Sequence, residues 1–155
     1  MRWKQPDFEQ VDCNDSVAMK RVFEQYADIQ AVIHFAASTA VNESVEQPLL
    51  YYRNNLMSLV TVLEQMKAHG VHHIVFSSSC TVYGQPTANH LPVDETAPIQ
   101  VALSPYGNTK QINEEIIRDE AHANAALHAT ILRYFNPIGA HPSAMIGELP
   151  NGVPQ

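Results

Sequence analysis

The chain has 155 residues, with 9 Lys+Arg against 16 Asp+Glu and a formal net charge of −7. Its length suits one domain able to bury roughly 70% of its unfolded surface, and 45% apolar against 16% charged residues excludes a disordered tail. An acidic balance without a Lys/Arg cluster excludes nucleic acid as a partner, since phosphate contacts need basic groups. No apolar run approaches the ~18 residues of a membrane span, and MRWKQPDFEQ lacks the apolar core of a secretion signal. Cys13 and Cys80 stand in unrelated contexts and read as buried thiols of a reducing compartment, the cytosol by default.

In chain order, residues 8–13 (FEQVDC) have a short strand's length and alternation. Cap-type residues from Asn14 open a helix to Tyr26, on which Val17, Met19, Val22, Phe23 and Tyr26 recur at helical spacing. Residues 31–37 (AVIHFAA) form a nearly continuous apolar run, the pattern of a strand covered on both faces. Pro48 suits the first turn of a helix whose stripe runs through Leu49, Tyr52, Leu56, Leu59, Val60, Leu63 and Met66 to a stop at Gly70. A buried strand follows at 73–79 (HIVFSSS), then a loop broken by Gly84, Pro86, Pro92 and Pro98. A helix from about Ser104 to Ala123 leads to a fourth strand, 129–135 (ATILRYF). Residues 136–155, rich in Pro and Gly, read as irregular loop. Alternating strands and helices predict crossover units: an α/β fold, a partial Rossmann-type doubly wound parallel sheet with flanking helices. Ligands of such sheets sit at the carboxyl ends of the strands, here residues 35–39, 77–81 and 134–136.

The strongest chemical signal is Ser79 followed by Tyr106 and Lys110. Four apart at the head of a helix, Tyr106 and Lys110 share one face. A free tyrosine, with a pKa near ~10, is a poor base at neutral pH, and a nearby ammonium lowers that value. Ser79, one crossover earlier at a strand end, completes a proton-transfer set for an alcohol or ketone. Tyr-x-x-x-Lys alone arises by chance on many helices; the serine-rich strand end in the right order gives it weight.

The stretches HFAASTAVNESVEQPLLYYRNN, FSSSCTVYG, SPYGNTK and LRYFNPIGAHPSAMIGELPNGVP resemble the UDP-glucose 4-epimerase family of extended short-chain dehydrogenases/reductases, within the NAD-dependent epimerases/dehydratases, over essentially the whole chain. Related dehydratases and decarboxylases usually carry an acidic residue at the position of Thr81, which favours the epimerases. The resemblance implies NAD as cofactor, a UDP-sugar as substrate and a homodimer, with the long helix and the Tyr-Lys helix packing on a second subunit. It implies that Tyr106 is the catalytic base, that Lys110 lowers its pKa and binds the nicotinamide ribose, and that Ser79 holds the substrate hydroxyl. It further places Asp12 and Cys13 beside the adenine, Phe35, Ala36, Ala37, Ser38 and Thr39 along the cofactor, Asn54 on its ribose side, Phe135 beside the nicotinamide and Asn136 on the UDP-sugar.

Two departures from the family stand out. Thr39 replaces its lysine, removing one charged cofactor contact. No G-x-x-G-x-x-G occurs, and the first glycine is Gly70. A pyrophosphate is normally held at a glycine-rich turn opening a helix, so the expectation is a partial NAD-binding domain over 1–155, without the first βαβ unit and the substrate domain. Such a chain leaves the 31–37 strand with an unpaired edge and the 8–13 strand without a neighbour. It is expected to bind NAD poorly alone. The alternatives are a non-catalytic fragment that associates with a partner, and another NAD-dependent sugar-nucleotide enzyme such as a dehydratase. His69, His72 and His73 read as a solvated cluster, His34 as a satisfied core residue, His141 as an equal choice between a structural hydrogen bond and substrate contact, and Met57 and Met66 as core. No metal site is expected.

Overall fold

The computed structural model describes residues 7–137, 139, 141–143 and 145. Helix α1 (Ser16–Gln25) begins where the Asp15 carboxylate accepts the Val17 and Ala18 amides, both at 3.0 Å, satisfying donors that a helix start leaves open. Strand β1 (Ala31–His34) is followed by a short helix α2 (Val41–Glu46), too brief for helical periodicity to announce it. Helix α3 (Pro48–Ala68) starts on Pro48, and Gly70, at φ +68°, follows its C-cap as expected. Strand β2 (His73–Ser79) is followed by 3₁₀ turns at Cys80–Tyr83 and Ala88–His90, helix α4 (Pro105–Ala123) and strand β3 (His128–Tyr134).

The sheet is parallel in the order β1-β2-β3, and His34 pairs with Phe76 while Ser79 pairs with Tyr134. All carboxyl ends therefore meet at one edge, which is where residues 35–39, Ser79, Phe135 and Asn136 lie. The core joins Met19 and Phe23 of α1 to Leu59, Val62, Leu63 and Met66 of α3, Ile117 of α4, and Ile74 and Phe76 of β2. Burying about a dozen such side chains is the main drive to fold, at roughly 25 cal/mol per Å² of apolar area.

Three expectations about the strands change, and Met57, expected in the core, is 48% exposed. Residues 8–13 form no strand: Phe8 is 84% exposed, and the segment is held by side chains, Glu9 accepting from Gln25 Nε2 at 2.9 Å and the Tyr26 hydroxyl at 2.7 Å. A strand needs a ladder partner, and the described sheet offers these residues none. The run 31–37 gives a strand of only four residues and is not covered on both faces, since Ile33 and Phe35 are each 62% exposed. Among the described residues the helices bury one face of the sheet, the side of Ile74, Phe76, Ser78, Ile131 and Arg133. The third is the extent of the last strand, which ends at Tyr134, leaving Phe135 outside it. Of the loop expected over 136–155, residues 138, 140, 144 and 146–155 lie outside the described residues.

Candidate active site

Ser79, Tyr106 and Lys110 are brought together by three local features. Tyr106 is the second residue of α4, set by Pro105 in the first turn and by Ser104, whose hydroxyl accepts the Gly107 amide at 3.1 Å. Gly107 then lies flat against the turn after β2, where an added Cβ would stand 3.3 Å from Thr81 Cβ. Ser79 ends β2, and its Oγ accepts the Thr81 amide at 3.2 Å, leaving the hydroxyl hydrogen free to donate into the site. All three side chains are buried.

Lys110 departs from the sequence reading. Its Nζ donates to the Ser77 carbonyl at 2.7 Å, lies 5.0 Å from the Phe76 ring centre and 5.8 Å from that of Tyr106. Burial lowers its pKa to about 8. The Tyr106 phenol is raised above its ordinary value, chiefly by burial, although the Ser79 hydroxyl favours the phenolate and pulls the other way. An ammonium turned toward a carbonyl does not offset that burial, so the expected lowering of Tyr106 by Lys110 is not seen here. His34 is buried, stacks on Phe76 at 5.9 Å and is held neutral down to about pH 4, first by burial and then by the Lys110 charge.

A second group lies beside the exit of β1. Val11, Asp12, Cys13, Asn14, Ala36, Ala37, Asn54 and Ser58 line a hollow of about 200 Å³, gathering five of the residues singled out in the sequence. Asp12 accepts from the Asn14 amide and side chain, both at 2.9 Å, which holds its carboxyl below the usual range. Asn14 donates to Asn54 at 2.7 Å, and Asn54 donates to the Ser38 hydroxyl at 2.8 Å. Asn14 Oδ1 is buried here without a partner. The Cys13 thiol is pushed up by burial and then by the Asp12 charge. Phe35 and Thr39 are exposed and outside this lining, whereas Phe135 stacks at 6.4 Å on Tyr83 and Asn136 follows it, exposed.

Sequence reasoning missed Asn14, Asn55, Thr109 and a buried ion cluster. Glu114 is fully buried and accepts from Ser78 at 2.6 Å, from Arg118 at 2.7 Å, and from Arg133 Nε and Nη2 at 2.9 and 2.7 Å. Burial pushes its carboxyl up, but the Arg133 and Ser78 hydrogen bonds and the two guanidinium charges prevail and hold it below its ordinary value. Its spacing was a signal, because Tyr106, Lys110 and Glu114 recur every fourth residue. Among the described residues no group of three or more His, Cys, Asp or Glu is placed to hold a metal ion, and no helix is long and apolar enough to cross a membrane.

A parallel sheet thus carries Ser79, Tyr106 and Lys110 at its carboxyl edge and a polar hollow one strand away, at the end where ligands of such sheets sit. The model of the NAD dependent epimerase/dehydratase family matches residues 2–152. The chain belongs to that family. It is 51% identical over 148 residues to the UDP-glucose 4-epimerase of Bos taurus, covering 96% of this chain and 42% of the relative. The UDP-glucose 4-epimerase of Bifidobacterium longum, solved in complex with NAD+ and UDP, superposes with a TM-score of 0.88 at 46% identity, over 94% of this chain and 43% of that one. That of Stenotrophomonas maltophila, solved with NAD and formylated UDP-arabinopyranose, gives 0.88 at 46% identity, over 96% and 43%. The chain thus spans about two fifths of the length of these family members.

Proposed function

We propose that this chain carries the proton-transfer site of a UDP-glucose 4-epimerase, interconverting UDP-glucose and UDP-galactose through a 4-keto sugar. The carrying observation is the convergence of Ser79, Tyr106 and Lys110 at the carboxyl edge of the sheet, set beside identity of 51% to a relative of that name. In this reading Tyr106 takes the proton from the sugar 4-hydroxyl and returns it, and Ser79, its lone pair engaged by Thr81, donates to the same oxygen. Lys110, 5.8 Å from the phenol ring, would supply positive charge there and hold the nicotinamide ribose. Asn136 and Phe135 follow Tyr134, the register partner of Ser79, and would contact the UDP-sugar and the nicotinamide respectively.

NAD, when bound, supplies the hydride acceptor. The hollow fits its adenine end, since Asp12 is an exposed acceptor and the buried Asn14 Oδ1 lacks a partner that a ligand donor would provide. Asn54, hydrogen-bonded to the Ser38 hydroxyl, would address the ribose side, and Phe35, Ala36, Ala37, Ser38 and Thr39 the length of the cofactor. The middle of the dinucleotide fits less well, for no glycine precedes Gly70. That specific observation favours a second reading for residues 1–155 by themselves: a partial NAD-binding domain that is silent until other residues complete the pyrophosphate site. The remaining inferences are a homodimer through the outer faces of α3 and α4, and a reducing compartment, the cytosol, for the free thiols Cys13 and Cys80.

The test is a chimera in which 1–155 replaces the matching segment of the Bos taurus relative, assayed for UDP-galactose formation from UDP-glucose. Turnover is expected, with Tyr106→Phe lowering it about 10²–10⁴-fold and Ser79→Ala less. Near-normal turnover by the Tyr106→Phe chimera overturns the assignment, and release of a 4-keto-6-deoxy sugar identifies a dehydratase instead.

A further inference from the structure

Two histidines stand side by side at the amino ends of neighbouring strands, at the opposite end of the sheet from the candidate site. His73 opens β2 and His128 opens β3, and the parallel register pairs them directly. Their ring centres are 5.1 Å apart, the planes lie within 17° of each other, and both residues are exposed. The sequence groups His73 with His69 and His72, but the fold divides that group. His69 turns to Phe23, with a ring nitrogen 2.9 Å from the Gln65 carbonyl. His72 contributes its carbonyl, which accepts the His128 amide at 2.7 Å and ties the two strand starts together. Among the described residues the histidine rings that hydrogen-bond are those of His69 and His141, so the His73 and His128 rings each keep a nitrogen lone pair when neutral. Both residues border a groove of about 500 Å³, in which Arg118, the one formal charge of the lining, is taken up by Glu114.

We propose that His73 and His128 form a two-imidazole site for a late first-row divalent cation of the Cu²⁺, Ni²⁺ or Zn²⁺ class, with water in the remaining coordination positions. Neighbouring strands run about 4.7–4.9 Å apart, and two nitrogens bound at about 2.1 Å to one such cation stand about 3 Å from each other. Rotation about the last side-chain torsion, which is broad for histidine, brings the rings from stacked to convergent without moving the backbone. The ladder already holds the strands, so the cost of ordering falls on two side chains only. Donor chemistry sets the class of ion. Imidazole suits these cations, whereas calcium and magnesium take oxygen donors, and among the described residues no carboxylate joins the pair. The soft donors are elsewhere, Cys80 just past the carboxyl end of β2 and Cys13 in the hollow beside the exit of β1. The register runs from His73 and His128 to Ser79 and Tyr134, about 20 Å at about 3.3 Å per residue. A bound cation would therefore clamp the strand starts without touching Ser79, Tyr106 or Lys110, and the inference stands apart from the proposed reaction.

The test is calorimetric titration of the untagged 155-residue chain with Ni²⁺ in a buffer that does not chelate it, with neither NAD nor a UDP-sugar present. One saturable equivalent is expected. His73→Asn and His128→Asn are each expected to weaken binding about tenfold or more, because one of two linked ligands is lost. His72→Asn removes a histidine next in sequence whose side chain is outside the pair, and it is expected to bind as the parent does. Ni²⁺ is paramagnetic, so a fraction of an equivalent added to the parent should broaden the NMR ring signals of His73 and His128 before those of the other histidines, a reading that needs no variant. Melting temperatures without metal check that the variants fold. With Ni²⁺ in excess the melting temperature of the parent should rise and those of His73→Asn and His128→Asn should not. The absence of saturable binding by the parent, binding by His73→Asn or His128→Asn as tight as that of the parent, or an equal loss in His72→Asn overturns the proposal.

Discussion

Lys110→Met should make the chain more stable while removing a group the proposed chemistry requires. Folding takes the ammonium from water to a site where its pKa is about 8, against 10.5 when free. At pH 7 lysine is protonated in both states, and the difference corresponds to a cost of about 3 kcal/mol for keeping the charge inside the fold. The hydrogen bond to the Ser77 carbonyl and the nearby Phe76 ring favour the charged form and offset part of this cost of burial. Methionine has a similar length and no charge, and it fills the same slot at a loss of one hydrogen bond, roughly 1–2 kcal/mol. The net expectation is a gain of about 1–2 kcal/mol at pH 7, or roughly 2–8 °C in melting temperature. The sign fixes the pH dependence. Because the folded value lies below the unfolded one, the unfolded state binds more protons between pH 8 and 10.5, and the Lys110 protein gains stability as pH rises through that window. Urea unfolding of both proteins at pH 7 and pH 11 tests this, with the advantage of methionine shrinking at the higher pH. A methionine variant less stable than the parent at pH 7, or an advantage that ignores pH, refutes the argument.

Removing the carboxylate of the ion cluster should cost more than any surface substitution. Glu114→Ala leaves Arg133, whose side chain is 17% exposed, without its partner, and about 3–5 kcal/mol is expected from urea midpoints. The depressed Glu114 carboxyl contributes stability above its ordinary value of 4.5 that is lost as pH falls through its lower folded value, so the parent should show a steeper acid transition than Glu114→Ala. Gly84→Ala should be strongly destabilising, because Gly84 has φ +58° and an added Cβ would stand 2.5 Å from the Val101 carbonyl oxygen; a melting temperature within a degree or two of the parent contradicts this. Calorimetric titration of residues 1–155 with NAD should show no saturable binding in the micromolar range, and its appearance there would mean that the Asp12 hollow and Lys110 suffice without a pyrophosphate turn.

The elements that the sequence made legible are those whose pattern and partner coincide. Residues 73–79 form the expected strand to the residue because the apolar run lies at the centre of the sheet, paired on both sides. Helices α3 and α4 matched because each opens on a proline, and α3 is closed by Gly70 just past its C-cap. Residues 8–13 show the limit, since alternation describes what a strand would look like and cannot supply the neighbour that makes one. The candidate site divides in the same way. Ser79, Tyr106 and Lys110 were legible because helical spacing and strand order alone bring them to one edge. The polar bonds behind them were not, because Asn55 and Glu114 occupy core-facing positions where apolar periodicity treats a polar residue as a defect. Both are buried, and both join α4 to something else, Asn55 to the segment leaving β1 and Glu114 to Ser78 and Arg133. An unsatisfied group at either place costs more than an apolar side chain does, so their presence argues that what they add is placement. The position of the Tyr106 hydroxyl relative to Ser79 is then set by three anchors on one helix: Thr109 toward Asn55, Lys110 toward Ser77, and Glu114 toward Arg133. In the proposed reaction the phenol gives and takes one proton at one oxygen, and it would gain from such a rigid support, because a misplacement of about 1 Å can cost about 10²-fold in rate.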